Sequence, residues 1–519
     1  MMLIRAKFIE KTASPFVYSF TRITSCNMLI RQSKNSYIRC TDKYGYINDQ
    51  LTRQDRVYDE IGALFLKQIN RTPKDIDTII ASLLQEFEEV PIDELKRDFL
   101  EFIDSLEKGR FIVTGETPEE LDQKDLSFTY MIDNPYTLIE DYTQQTKECV
   151  SENTQDFFLE EVQGRPVISA LQFELSSRCN ERCIHCYIPN GKKDAGHDMS
   201  TDKVKSIIEE FSEMGGLHVT LSGGEAFLHK DLLEICRYCR EKDLKISILS
   251  NLISLKDEQI PQLKALNISL IQTSLYSMDS DIHDRITLVK GSFEKTKRAI
   301  EKLVAADIPV QISCPLMKAN KDGYKDVLEY ARKLKINAQT DYIMMAQADL
   351  DTRNLANRLS LEETEKVIRD IIEYDLDYKD NVLMRKPRSE EIKFDKERFS
   401  HQPLCGVGYD NCCITVNGDV YPCAGWQEYV LGNVYQQSLK DIWEKSEKIK
   451  QLRKITQASF PQCLDCEAFD FCNRCLVRNF NESNGDMFSI PKHFCDIAFL
   501  NMRLVKEYEQ KLKEGIYIS

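Results

Sequence analysis

The stretch RCNERCIHCY at residues 178–187 follows directly on the apolar run VISALQFEL at residues 167–175. Its cysteines, Cys179, Cys183 and Cys186, are spaced C-x3-C-x2-C and fall in a loop at the carboxyl end of a strand. Three thiolates in one short loop can ligate three irons of a cubane cluster and leave the fourth iron open. A tetrahedral zinc site asks for a fourth protein ligand, and His185 inside the loop offers one, so zinc is the alternative reading.

Working outward, LHVTLSG, LKISILS, ISLIQTSLYS, PVQISCPL and NAQTDYIMM are further β-rich runs, separated by amphipathic helical stretches such as TDKVKSIIEEFSEM and SFEKTKRAIEKLVAA. Six strands alternating with helices over residues 166–350 predict right-handed parallel βα units, either an open curved sheet or part of a barrel. Chemistry in such folds lies at the carboxyl ends of the strands. Upstream, SYIRCTDKYGYI (residues 36–47) predicts two short strands around a polar turn at Thr41 to Lys43. Helical patterns follow over residues 56–69, 72–87 and 91–113, the second with Thr72 as N-cap and Pro73 at the first helical position. A hairpin and three helices make residues 1–113 a winged-helix-like domain, but its many acidic residues and lack of a basic face argue against DNA. Residues 114–165 read as a linker, residues 351–400 as a charged helical bridge, and residues 401–519 as a cysteine-rich domain. That last domain contains CCITVNGDVYPC, a hairpin turned at Asn417-Gly418.

Composition narrows the function. The chain has 519 residues, enough for about three domains, and a net charge of −15, which disfavours nucleic acid and anionic membranes as partners. No apolar run reaches the roughly 18 residues of a membrane helix. The start, MMLIRAKFIEKTASPF, is broken by Arg5, Lys7 and Lys11 and does not read as a secretory signal, so a cytoplasmic location is expected. In that compartment eighteen cysteines point to metal or redox chemistry rather than disulfides. Twelve are clustered, three within residues 179–186 and nine within residues 405–495. The scattered six, Cys236 and Cys239 of an amphipathic helix among them, are expected to be small buried side chains.

RCNERCIHCY resembles the cluster loop of the radical S-adenosylmethionine (SAM) superfamily. The resemblance implies an α/β fold, a partial (β/α)6 TIM-like barrel, in which Cys179, Cys183 and Cys186 hold a [4Fe–4S] cluster and S-adenosyl-L-methionine chelates the unique iron through its amino and carboxylate groups. Tyr187 stands at the aromatic position that packs near the adenine. LSGGEAFL (residues 221–228) falls where the superfamily has its GGE segment: Gly223 and Gly224 would let the backbone approach the methionyl amine, and Glu225 would accept a hydrogen bond from it. Ser250 and Asn251 match the place of ribose contacts, and Ser274 that of a methionyl carboxylate contact. Arg298 aligns with an arginine that some members use as counter-ion to that carboxylate, against its plain reading as a solvated helix residue.

The carboxy-terminal domain resembles the SPASM extension, which binds auxiliary iron–sulfur clusters. Cys405, then Gly418 and Cys423 with four residues between them, then Cys463, Cys466 and Cys472 as C-x2-C-x5-C, and finally Cys495, fit its pattern. Cys475 departs from it, following Cys472 after two residues where the usual gap is three. The interleaving implied by the resemblance gives Cys405, Cys423 and Cys475 to a first auxiliary cluster, with Cys412 or Cys413 as candidate fourth ligand, and Cys463, Cys466, Cys472 and Cys495 to a second, for three [4Fe–4S] clusters in all. Without a fourth ligand the first would keep an open iron for a substrate thiolate. Structural zinc is the alternative for these CxxC pairs.

The amino-terminal pattern resembles the RiPP recognition element, which binds the leader of a ribosomally made precursor peptide as a strand added beside the hairpin. Together the resemblances imply a peptide maturase acting through a 5′-deoxyadenosyl radical, with a thioether between a cysteine sulfur and a carbon as the expected product. The implied partners are a precursor peptide with its leader and an electron donor such as flavodoxin or ferredoxin, with neither nucleic acid nor membrane. Carbon–carbon crosslinking, epimerisation and sulfatase-type maturation keep the same cofactor and change the reaction. A zinc-stabilised peptide-binding scaffold without catalysis is the alternative of another class.

Overall fold

The computed structural model describes residues 28–126, 166–374 and 396–514, apart from residues 53, 88, 89, 190, 192, 194 and 195. In the amino-terminal domain β1 (Leu29–Gln32), β2 (Ser36–Cys40), β3 (Gly45–Asp49), β4 (Asp55–Tyr58), β5 (Lys74–Asp75) and β6 (Ile112–Gly115) form two three-stranded antiparallel sheets, ordered β5-β1-β6 and β2-β3-β4. The three expected helices are present but shorter, at Glu60–Lys67, Ile76–Leu83 and Ile92–Lys108. Each loses residues to a competing use. Val57 and Tyr58 are buried in β4, and residues 112 and 113 pair with β1. Asp75 rather than Thr72 caps the second helix, accepting from the backbone N–H of Asp77 and Thr78. Phe65 meets Phe99 and Phe102 edge-on, at 5.3 and 5.4 Å between ring centroids, and closes the core of this domain.

The linker expected from residue 114 therefore begins too early. Residues 114 and 115 end β6, and the helix Pro118–Leu126 packs back on the domain, where Asp122 and Asp125 pair with Arg31 at 2.5 and 2.9 Å. Residues 127–165, the rest of that stretch, lie outside the described residues.

The six expected strands of the βα region are β7 (Ala170–Ser176), β8 (His218–Gly223), β9 (Lys245–Leu249), β10 (Leu270–Ser274), β11 (Val310–Pro315) and β12 (Asn337–Asp341), parallel and adjacent in chain order. Their period of two sorts the side chains. Leu171, Phe173, Leu175, Val219, Leu221, Ile246 and Ile248 join the core under the helices, while Gln172, Glu174, Thr220, Ser222 and Ser247 alternate with them on the inner face. The helix Leu232–Glu241 buries Cys236 and Cys239 as expected.

The sheet does not stop at β7. β13 (Asn411–Ile414) pairs with it in parallel, and with β14 (Asp419–Tyr421) and β15 (Gly432–Asn433) extends it to nine strands. The carboxy-terminal hairpin is thus a continuation of the barrel wall, closed at Gly418 with φ of +81°. Of the helical bridge, Leu361–Tyr374 packs Ile368 and Ile372 on Leu500 and Leu504 of the last helix, Lys492–Lys513, and residues 375–395 lie outside the described residues. No helix among the described residues is long and apolar enough to cross a membrane.

The amino-terminal domain is clasped to the opposite end of the barrel from the cysteine loop. Arg39 donates to the carbonyls of Gly216 and Asp243, both at 2.7 Å, and Arg71 donates to the Asp243 carboxylate at 2.5 Å. Arg240 donates to the Tyr37 hydroxyl at 2.7 Å, and Asn267 to the Lys34 carbonyl at 2.7 Å. Gly216, Asp243 and Asn267 stand just before β8, β9 and β10, at the amino ends of the strands.

Candidate active site and metal centres

β7 delivers the cysteine loop to the carboxyl end of the sheet, and the loop is fastened on both flanks. Ser176 and Arg178 hold Asp198, at 2.7 and 2.5 Å, while the N–H groups of Arg182 and Ile184 each donate at 3.0 Å to the carbonyls of Thr287 and Ile286. The two glycines after β8 serve this same loop. Gly224 N–H donates to the Ser176 carbonyl at 2.7 Å, and Glu225 N–H to that of Arg178 at 2.9 Å. A Cβ on Gly224 would lie 2.3 Å from the Arg178 carbonyl oxygen, and Gly223 has φ of +135°. The close approach of the cysteine loop is thus one requirement that these glycines meet.

Glu225, 1% exposed, is the centre of the polar network. It accepts from the Ser250 hydroxyl at 2.6 Å, from the N–H of Phe227 at 2.9 Å and from the N–H of Asn251 at 2.8 Å. Burial raises its pKa, and these three neutral donors pull the other way. The structure thus brings Ser250 and Asn251 to Glu225, and Asn251 also donates to Asn180 of the cysteine loop at 2.6 Å. Ser274, at the end of β10, reaches the loop through the Tyr276 hydroxyl, which lies 3.8 Å from the Cys183 sulfur and 3.5 Å from His185.

Arg298 is a correction. On the helix Ser292–Ala305 the buried side includes Ser292, Phe293, Thr296, Ala299 and Ile300, so Arg298 points to solvent, where its charge acts on Asp257. Thr296 is the residue through which that helix reaches the site, donating to the Asn251 carbonyl at 2.9 Å.

Two side chains that sequence reasoning passed over are buried in the loop. Glu181 accepts from the Cys183 thiol at 3.2 Å, and burial pushes its carboxyl up to about 7. Lys193 is 3% exposed; burial opposes its charge, but Cys186, Cys179 and Cys183 more than offset this and hold its ammonium above the usual range. An acid between two cysteines was a readable signal. Lys193 gave none, because nothing local marks a lysine in a polar run as buried.

The carboxy-terminal cysteines gather as two groups. Burial, with charge at Cys475 and Cys423, pushes the Cys405 thiol up to about 11, and Cys423 in turn feels Cys475. Cys463, Cys466, Cys472 and Cys495 act on one another in the same way, with Arg474 opposing at Cys463 and Cys472. A small cavity lined by Cys472, Arg474, Cys475 and Arg478 lies between the groups. Neighbouring residues of a strand face opposite sides, and this separates the two candidate fourth ligands. Cys412 pairs beside Leu171 and is packed in the hydrophobic core, so it is no ligand candidate. Cys413 pairs beside Gln172 on the inner face, close to Glu174 and Cys423. Tyr187 relates the two regions: burial raises its pKa, and charge at Glu174, Cys413, Cys186 and Cys423 acts in the same direction.

Comparison with known proteins agrees with this layout. Residues 173–334 match the model of the radical SAM superfamily, and residues 405–467 that of an iron–sulfur cluster-binding domain, SPASM. The chain carries a radical SAM domain. Residues 56–112 match coenzyme PQQ synthesis protein D (PqqD), and the three matches together give the domain set of radical SAM/SPASM peptide-modifying enzymes. Among curated relatives of this radical SAM protein, the AdoMet-dependent heme synthase of Methanosarcina barkeri is 25% identical over 61% of this chain and 93% of its own length. The antilisterial bacteriocin subtilosin biosynthesis protein AlbA of Bacillus subtilis is 26% identical over 60% of this chain and 68% of its own. Streptococcus suis SuiB, solved with its precursor peptide SuiA, shares the fold with a TM-score of 0.57 at 16% identity, covering 87% of this chain and 97% of that one.

The residues present fit a radical SAM cluster and nucleotide. Every described cysteine is a free thiol. Among the described residues no three His, Cys, Asp or Glu side chains converge as one ion would need, while a cubane takes each thiolate on a different iron. Glu225, buried and bonded only to neutral groups in the contacts above, suits a cationic amine.

Proposed function

We propose that this radical SAM enzyme modifies a ribosomally made precursor peptide and forms thioether links between a cysteine sulfur and a carbon. The observation that carries the reading is the seam of β13 with β7, which sets Cys413 beside the strand that delivers the cysteine loop, in a chain that also bears a PqqD-like domain. When bound, the cluster and S-adenosyl-L-methionine supply a radical able to remove a hydrogen atom from an unactivated carbon. Cys179, Cys183 and Cys186 would hold that cluster, and Cys405, Cys413, Cys423 and Cys475, with Cys463, Cys466, Cys472 and Cys495, two more.

The chain's own residues do the positioning. Glu225, fixed by Ser250 and by the N–H groups of Phe227 and Asn251, holds an ammonium group at the strand ends. Gln172, Glu174, Thr220 and Ser247 offer hydrogen bonds to a peptide along the inner face. Gln427 donates to Glu174 at 2.9 Å and ties that face to the carboxy-terminal domain. A substrate thiol held on the inner face would lie on the same side of the sheet as Cys413. The leader would add to β4, the sheet edge left open when β2 docks on the barrel.

The likeness to heme synthases favours a second reading, a porphyrin-type substrate. That relative is matched over 93% of its own length by 61% of this chain, so about two fifths of this chain lie outside the likeness. Co-expression with short cysteine-bearing peptides encoded near the gene, followed by mass spectrometry, tests the proposal: each link removes two hydrogens. An unchanged peptide, or one altered only by solvent deuterium at Cα, rules thioether formation out.

A further inference from the structure

We infer that the precursor must carry its leader-recognition segment and the residue to be modified at least roughly ten residues apart, because β4 and the cysteine loop lie at opposite ends of the barrel. The inference rests on the reading that the leader pairs with β4, and adds to it a constraint on the class of substrate.

The constraint comes from the clasp. Gly216, Asp243 and Asn267 lie at the amino ends of β8, β9 and β10, and each receives a hydrogen bond from, or donates one to, residues 34–39 or 71. Gln32 adds a bond to the Asp243 carboxylate at 3.2 Å, so that carboxylate is shared by two different parts of the amino-terminal domain. These contacts occupy the β2 side of the β2-β3-β4 sheet and leave β4 as the far edge. The cysteine loop, by contrast, leaves the carboxyl end of β7, and all six strands run parallel.

The distance follows from strand geometry. β7 has seven residues, and at about 3.3 Å per residue the barrel wall is roughly 20 Å high. β4 stands two strand spacings, about 10 Å, from β2 across that sheet. An extended peptide spans at most about 3.5 Å per residue and must pass around a filled wall, so on the order of ten residues are needed before its chain reaches the cysteine loop. A precursor whose reactive residue follows its leader strand more closely would bind and remain unmodified. Flexible spacers longer than the minimum would work, with a slow decline as length grows.

A tether tests the spacing without a known precursor. Glu60, exposed just after β4, is replaced by p-azidophenylalanine in the full-length reconstituted enzyme. Alkyne-bearing Gly-Ser peptides of 4 to 24 residues ending in deuterated alanine and cysteine are then joined to it. The readout is deuterium in 5′-deoxyadenosine, with peptide-independent SAM cleavage as the control for a loaded protein. Deuterium transfer is expected only from tethers longer than about ten residues, and Asp243→Ala, which loosens the clasp, is expected to lower that threshold. Transfer from the four-residue tether, transfer at no length, or a threshold indifferent to Asp243→Ala overturns the inference. Because the tether bypasses leader recognition, failure of leader pairing, measured by strand-dependent binding of candidate leaders, is a separate result.

Discussion

Glu225 at the carboxyl ends of the strands and Asp243 at their amino ends are both carboxylates holding several hydrogen bonds, and they are built for opposite purposes. Asp243, about a third exposed, accepts from Arg71 at 2.5 Å and lies 3.7 Å from Arg39, so its charge is met inside the protein and its work is to join two domains. Glu225 is almost wholly buried and takes its three bonds from a hydroxyl and two backbone N–H groups. A buried anion with only neutral donors is stabilised in position but not neutralised, and the missing charge is what a cationic ligand brings. The carboxylate met by arginines joins two domains, and the one left to neutral donors is suited to a cationic ligand.

The largest effect that would sharpen this contrast is at the carboxyl end. Cys183→Ser is expected to abolish formation of 5′-deoxyadenosine by the reduced protein and to remove the cluster's spin signal, while circular dichroism stays unchanged. Gly224→Ala is next. The new methyl group would meet the Arg178 carbonyl, which is backbone and cannot rotate away, so the cysteine loop must shift. A cost of about 2 kcal/mol in stability is expected, together with a loss of SAM binding read by equilibrium dialysis. A variant that binds SAM normally would show that the loop tolerates displacement and would weaken the case for a built site.

At the amino end Asp243→Ala is expected to do the reverse. It removes the partner of two partly buried guanidinium groups and should destabilise domain docking by about 1–2 kcal/mol, visible as faster amide exchange around Arg39 and Arg71. SAM cleavage without peptide should be unchanged. If cleavage falls with it, the two ends are coupled and the contrast fails.

The two ends also differ in how far the sequence revealed them. The placing of Cys179, Cys183, Cys186 and Glu225 at the strand ends was legible because it follows from short-range spacing, and the six strands because a period of two shows within each run. The clasp was not. Arg71 and Asp243 are 172 residues apart, and neither belongs to a local pattern that marks it as an interface group. The same holds for the seam of β13 with β7, which decided between Cys412 and Cys413 through pairing across distant chain segments. Arg298 misled for a related reason: alignment fixed its place along the helix, while its side of the helix was set by Ser292, Thr296 and Ala299 packing inward.

Acid should act on the two ends with opposite sign, and this is the smallest and most discriminating effect. His218 opens β8 at the amino end, bonded to the Ser247 hydroxyl at 2.9 Å, and burial, aided by Lys245, lowers its pKa to about 4. The unfolded chain holds a histidine pKa of about 6.5, so between the two values the unfolded state binds more protons and stability rises with pH. The contribution is full above pH 6.5 and is lost as pH falls toward 4, amounting to about 2 kcal/mol at pH 5. Glu225 has its pKa raised by burial, so between its unfolded and folded values the folded state binds more protons, and stability falls as pH rises. Urea unfolding at pH 7 and pH 5 should therefore show a smaller loss on acidification for His218→Gln than for the unaltered chain, and a larger one for Glu225→Gln. Equal slopes for the two variants would mean that neither group is as buried in solution as its surroundings require.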